Sequence, residues 1–70
     1  MGTSHNIAVK LKEARKEKGW SQQELAERAG LERKTVNRIE NKHYSPSIDT
    51  LVSLSNALDV SVQALLTEVV

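Results

Sequence analysis

The 70-residue chain has no cysteine and no phenylalanine, and only one proline, one tryptophan, one tyrosine and three glycines. Without cysteine there can be no disulfide, no thiolate metal site and no thiol nucleophile. One proline and scattered glycines leave no linker or low-complexity stretch. No apolar run exceeds three residues, which excludes a membrane span and a signal-peptide core, so a cytoplasmic location is expected. Alternating runs of Val, Ile and aromatics are missing, as are Asn-Gly and Asp-Gly pairs, so β-hairpins have no starting point. With 39% hydrophobic and 27% charged residues the composition is that of a globular domain rather than a disordered tail. A chain this short buries only about 60% of the surface its unfolded form exposes, so it makes one domain with a thin stability margin.

What is present is apolar spacing of helical period, and the fold class is all-α. Residues 1–5 read as a flexible arm. A first helix is expected over about 6–18, with Ile7, Leu11 and Ala14 on one stripe and Gly19 as its left-handed terminator. Trp20 is expected to anchor the core. Ser21 caps a second helix, Gln22–Ala29, in a capping box with Glu24, and Leu25, Ala26 and Ala29 face inward. Gly30 ends it. A third helix over 33–41 buries Val36 and Ile39. Ser47 caps a fourth from Ile48, packed through Leu51, Val52, Leu54, Ala57 and Leu58. Asp59-Val60 breaks it, and Ser61 caps a short fifth helix over 62–67. The result is a compact five-helix domain.

The net charge of +1 conceals a division. Residues 1–43 hold all ten cations and six acids, a net +4; residues 44–70 hold Asp49, Asp59 and Glu68 and no cation, a net −3. Such asymmetry points to a polyanionic partner on one side of the molecule.

The segment 22–41 carries the sharpest signal. A DNA-reading helix-turn-helix needs two short helices crossing closely through a tight turn. Ala26 is small enough for the crossing, and Gly30 can take the positive φ of the turn. Leu25, Ala29, Leu31, Val36 and Ile39 pin the pair to the domain. The outer face of the second helix carries Arg33, Lys34, Thr35, Asn37 and Arg38, a dense set of long donors.

With these residues in place the chain resembles the phage repressor and Cro type of helix-turn-helix, the xenobiotic-response-element-like family. The resemblance runs from Ile7 to Leu66. It rests on Leu11, Arg15, Gly19-Trp20-Ser21-Gln22-Gln23-Glu24-Leu25-Ala26, Ala29-Gly30-Leu31, Val36 and Arg38-Ile39-Glu40-Asn41. It continues through Pro46-Ser47, Leu51, Leu54, Ala57-Leu58, Val60-Ser61-Val62 and Leu65-Leu66. It implies a lambda-repressor-like fold with helix 33–41 in the major groove of double-stranded DNA. Base contacts would fall on Arg33, Lys34, Asn37 and Arg38. Arg and Lys suit guanine O6 and N7, and Asn suits adenine N6 and N7. Which of the four reads a base and which holds a phosphate is left open.

By the same resemblance Gln22 binds phosphate and braces the recognition helix, with Gln23, Thr35, Asn41, Lys42 and His43 as further phosphate candidates. Arg15 and Glu40 form a partly buried ion pair that is structural. Two positions depart from the family. Lys42 stands where glycine is common, so either Asn41 or Lys42 takes any left-handed conformation there, or the loop runs differently. Glu32 stands where a better cap is common.

The implied function is a sequence-specific transcriptional regulator, a repressor acting as a homodimer on a palindromic operator. Residues 47–67 would supply packing and dimerisation, with Val60, Leu65, Leu66, Val69 and Val70 at the interface; core packing is the competing role of Leu65 and Leu66, and a frayed terminus that of Val69 and Val70. The alternative is an antitoxin or adaptor working mainly through protein contacts; a toxin or polymerase contact is compatible with either reading. No enzyme is expected, since His5 and His43 lie in an arm and a loop without catalytic or metal-ligand partners. No cofactor and no metal is implied.

Overall fold

Helix ends in this domain are set by local chemistry, and helix positions by one shared core. The computed structural model describes the backbone of residues 3–66 and the side chains of residues 7–66. Among the described residues there are five helices and no strand: α1 Thr3–Glu17, α2 Gln22–Ala29, α3 Arg33–Glu40, α4 Ile48–Leu58 and α5 Val62–Leu66. The all-α, five-helix expectation holds, and α2 has the bounds read from the sequence. α1 begins earlier than expected, so the anticipated arm 1–5 gives up three residues to the helix. Ile7 and Ala8 are buried, and helical pairing of the amides that follow Asn6 requires carbonyls four residues back, from Thr3 onward.

Three serines start helices as expected. Ser21 Oγ accepts from Glu24 N at 3.0 Å, Ser47 Oγ from Thr50 N at 3.3 Å, and Ser61 Oγ from Ala64 N at 3.1 Å. The reciprocal half of the capping box is not formed. Glu24 turns its carboxylate to Arg28 one turn on, where the gain in ion pairing replaces a bond to the Ser21 amide. Glu32 places its backbone at the cap of α3 without a side-chain bond, so α3 opens with an uncapped amide end.

Helices α2, α3 and α4 all close through a left-handed residue. At Gly30 (φ 71°) the amide of Leu31 reaches back to Ala26 O at 2.8 Å. At Lys42 (φ 66°) the amide of His43 reaches Arg38 O at 2.9 Å, and at Asp59 (φ 58°) that of Val60 reaches Ser55 O at 3.0 Å. Glycine takes this conformation without penalty, whereas a residue with a Cβ loses about 1–2 kcal/mol. The alternative left open between Asn41 and Lys42 is thus resolved in favour of Lys42. Lys42→Gly is expected to raise stability by about 1 kcal/mol, read as a higher urea midpoint with unchanged slope.

All five helices feed one core of Ile7, Leu11, Leu25, Ala26, Val36, Ile39, Leu51, Leu54, Leu58 and Leu65. α3 lies against both α1 and α2, α4 against α2, and α5 closes on α1 and α4. Val52, expected on the packed face of α4, is 40% exposed, and Ile48 at its start is 65% exposed. Leu51, Leu54, Ser55 and Leu58 form the buried stripe; Val52 sits about 100° round from Leu51, and Ile48 stands at the helix's first position, beyond the core's reach. Leu65, expected at a subunit interface, is 1% exposed and belongs to the monomer's own core, because α5 turns it toward α1 and α4. Val60 and Leu66 remain half-buried; Val69 and Val70 lie outside the described residues, as do Thr67 and the His5 side chain.

Trp20 packs against the core only in part. The Arg28 guanidinium lies 4.4 Å from its ring centroid and Lys18 Nζ 5.9 Å, so the indole seals the core edge under a cationic cover.

Candidate nucleic-acid interface

Helix α3 has two chemically opposite faces. Val36, Ile39 and Glu40 are buried, while Arg33, Lys34 and Arg38 are exposed. Lys34 and Arg38 are one turn apart on the same stripe, with Arg33 beside them. Among the described residues none of these three cations has an acid partner. Thr35 and Asn37 are half-buried, and Asn41, Lys42 and His43 continue the exposed surface into the loop after α3. The first-named cations therefore project together. Gln23, on the outer side of α2, gives its Nε2 to Glu27 at 2.9 Å.

A chain of side chains behind this surface holds α3 in place. Arg15 Nε donates to Glu40 Oε2 at 2.7 Å and Arg15 Nη2 to Glu40 Oε1 at 3.0 Å, a two-pronged ion pair. Arg15 Nη1 donates to the Trp20 carbonyl at 2.8 Å, tying in the α1–α2 corner. The Arg15 side chain is 11% exposed and that of Glu40 1%. The hydrogen bond to Glu40 raises the Arg15 guanidinium above its ordinary pKa; burial opposes the rise, and the attraction of the two charges adds to it. The structural assignment of this pair from the sequence matches the geometry.

From Glu40 the network runs outward with a fixed polarity. A carboxylate only accepts, so Gln22 turns its Nε2 to Glu40 Oε1, at 3.0 Å. That leaves Gln22 Oε1 facing α3, where it accepts from Asn37 Nδ2 at 3.1 Å. Asn37 Oδ1 then accepts from Asn41 Nδ2, also at 3.1 Å. The buried charge of Glu40 thereby sets the orientation of three amides in turn. No buried side-chain nitrogen or oxygen among the described residues lacks a partner.

Sequence reasoning anticipated the bracing role of Gln22 and missed the part of Asn37. The spacing of Asn37 and Asn41 by four residues could have suggested their bond, but the link from Asn37 to Gln22 crosses between helices. Among the described residues no group of three His, Cys, Asp or Glu could hold a metal ion, and no helix is long and apolar enough to cross a membrane.

The model of the helix-turn-helix family matches residues 11–65. The HTH-type transcriptional regulator SinR of Bacillus licheniformis is 48% identical over 63 residues, covering 89% of this chain and 57% of that protein. The immunity repressor protein of Bacillus phage phi105 is 37% identical over 62 residues, covering 89% of this chain and 43% of the repressor. The chain thus spans about half the length of these curated relatives. Among solved structures, the N-terminal DNA binding domain of SinR from Bacillus subtilis is similar with a TM-score of 0.87 and 46% identity, covering 91% of this chain and 94% of that one. With a match across its central helices, relatives of this kind and the turn geometry at Gly30, the chain belongs to the helix-turn-helix family of phage repressor and Cro type.

Proposed function

We propose that this domain binds DNA sequence-specifically through α3 in the major groove and acts as a transcriptional repressor by occupying its operator. The observation that carries the reading is the exposed cationic face of Arg33, Lys34 and Arg38, unpaired among the described residues and held rigidly from behind by Glu40. Similarity to an immunity repressor supports repression over activation. Gln22 has one amide hydrogen left beyond its bond to Glu40, and with Thr35, Asn41, Lys42 and His43 it would hold the phosphates that set the register of α3.

A homodimer on a palindromic site completes the reading, with recognition helices about 34–36 Å apart. Half-buried Val60 and Leu66 support an apolar subunit contact, and exposed Ile48 and Val52 widen the apolar surface on offer. Leu65 contributes from below by packing, not by contact.

Titration of duplex at increasing salt tests the electrostatic part. Log affinity should fall linearly with log salt, and Lys42, the cation placed on phosphate, should account for about −0.9 of the slope per subunit. Selection of bound sequences from a random duplex pool tests the rest, and should return an inverted repeat. Equal affinity for all duplexes would refute sequence-specific regulation.

A further inference from the structure

Resting on the DNA-binding reading above, we infer that Asn37 is a positioning residue rather than a base reader, and that the half-site bases facing α3 are guanines. A bidentate contact to adenine requires one amide to offer its nitrogen and its oxygen together, projected away from the protein. The amide of Asn37 has both atoms engaged within the protein, Nδ2 on Gln22 and Oδ1 on Asn41. It lies along the seam between α2 and α3, on the stripe of residues 33, 37 and 41, and is half-buried. Each atom keeps a second hydrogen or lone pair, but bringing both squarely onto an adenine edge would turn the amide and strain its bonds to Gln22 and Asn41.

Release would propagate. Gln22 Oε1 would lose its donor, and Gln22 cannot turn over to compensate, because its oxygen would then face the Glu40 carboxylate. Asn37 therefore transmits the fixed orientation of Glu40 to the outer end of α3. With the one amide among the four base-reading candidates so committed, the reading side chains are Arg33, Lys34 and Arg38. All three are cations, and the base edge that offers two acceptors to a cation in the major groove is guanine, through O6 and N7. A helix that reads with cations alone has no donor–acceptor pair with which to select adenine.

Selection from a random duplex pool, run on the wild-type chain and on Asn37→Ala, tests both halves. The wild-type half-site should carry guanines opposite α3. Replacing each by 7-deazaguanine, which lacks the N7 acceptor, should weaken binding roughly fivefold or more. Asn37→Ala should return the same consensus, with preference for guanine falling roughly fivefold at all contacted positions together, since α3 is less firmly held. A purely structural role would lower the urea midpoint and leave base preference unchanged, and that result would overturn the inference. So would an A·T pair that becomes degenerate only in Asn37→Ala, because Asn37 would then be reading it. Enriched half-sites without guanine would overturn the guanine assignment alone. A pool that yields no enriched sequence would sink the DNA-binding reading itself, and this inference with it.

Discussion

Glu40→Ala is expected to destabilise the domain by about 3–5 kcal/mol, the range for removing one partner of a buried ion pair. A domain of this length has a total stability of roughly 3.5–10 kcal/mol at about 0.05–0.15 per residue, so the variant should lose from about a third to all of it. The magnitude follows from what is left behind. Arg15, 11% exposed at its side chain, would keep only the Trp20 carbonyl as a partner, and Gln22 Nε2 would lose its acceptor. The exposed pair Glu24–Arg28, with side chains 43% and 53% exposed, has the same charges and also two N–H donors, but both reach one oxygen and the pair lies open to water. Its loss should cost only about 0.3–0.5 kcal/mol, because water and salt screen it.

Urea denaturation of both variants measures the difference. A double replacement, Arg15→Met with Glu40→Leu, should recover at least half of the loss, since no buried charge remains unmatched. If Glu40→Ala cost under about 1 kcal/mol, the pair would be behaving as a surface pair and the bracing role of Glu40 would be wrong. The sign of the pH dependence is also set. Arg15 is raised in the folded state, so its stabilisation is complete below the unfolded guanidinium pKa and lost only as pH rises through the folded one. Both lie far above neutrality, and at neutral pH Arg15 contributes no slope.

The parts of the fold legible in the sequence were those decided within a few neighbouring residues. Ser21, Ser47 and Ser61 cap the next turn by themselves, and Gly30 provides its own left-handed terminator, so α2 was readable to the residue. Lys42 was harder, because without glycine the local preference does not say which residue will bear a positive φ; closure onto Arg38 and Ile39 decides it. Val52 and Leu65 were misplaced for a different reason. Period alone says that a face is apolar, but how far the core extends and which face of α5 it claims depend on α1 and α4 together. The candidate surface was legible as a residue set. Its division into cations that project outward and amides that lock the helix was not, since the polarity of the amide chain originates at Glu40 and crosses from α2 to α3 twice.

Replacing Arg33, Lys34 and Arg38 together by alanine is expected to abolish sequence-specific DNA binding while leaving the fold intact. Each bidentate cation–guanine contact discriminates by about 1–3 kcal/mol, so the loss of three removes on the order of 3–9 kcal/mol of preference, at least a hundredfold in affinity for the selected site. The fold should not follow. The three side chains are exposed and, among the described residues, hold no ion pair, and alanine is the better helix former. A urea midpoint within about 0.5 kcal/mol of the wild type is therefore expected. Arg38→Ala alone should relax one position of the site, whereas Lys42→Gly, at a phosphate position, should weaken all sequences alike and reduce the salt slope by about 1. Lys42→Gly also raises stability by relieving the positive φ, so it would bind DNA less well while folding better. These outcomes separate three roles that charge alone does not distinguish. On the proposed reading Glu40 would serve the fold and through it binding, Arg38 one base, and Lys42 the phosphate backbone against the preference of its own φ. Retention of operator preference by the triple variant, measured by fluorescence anisotropy on labelled duplex, would move the reading surface off α3 altogether.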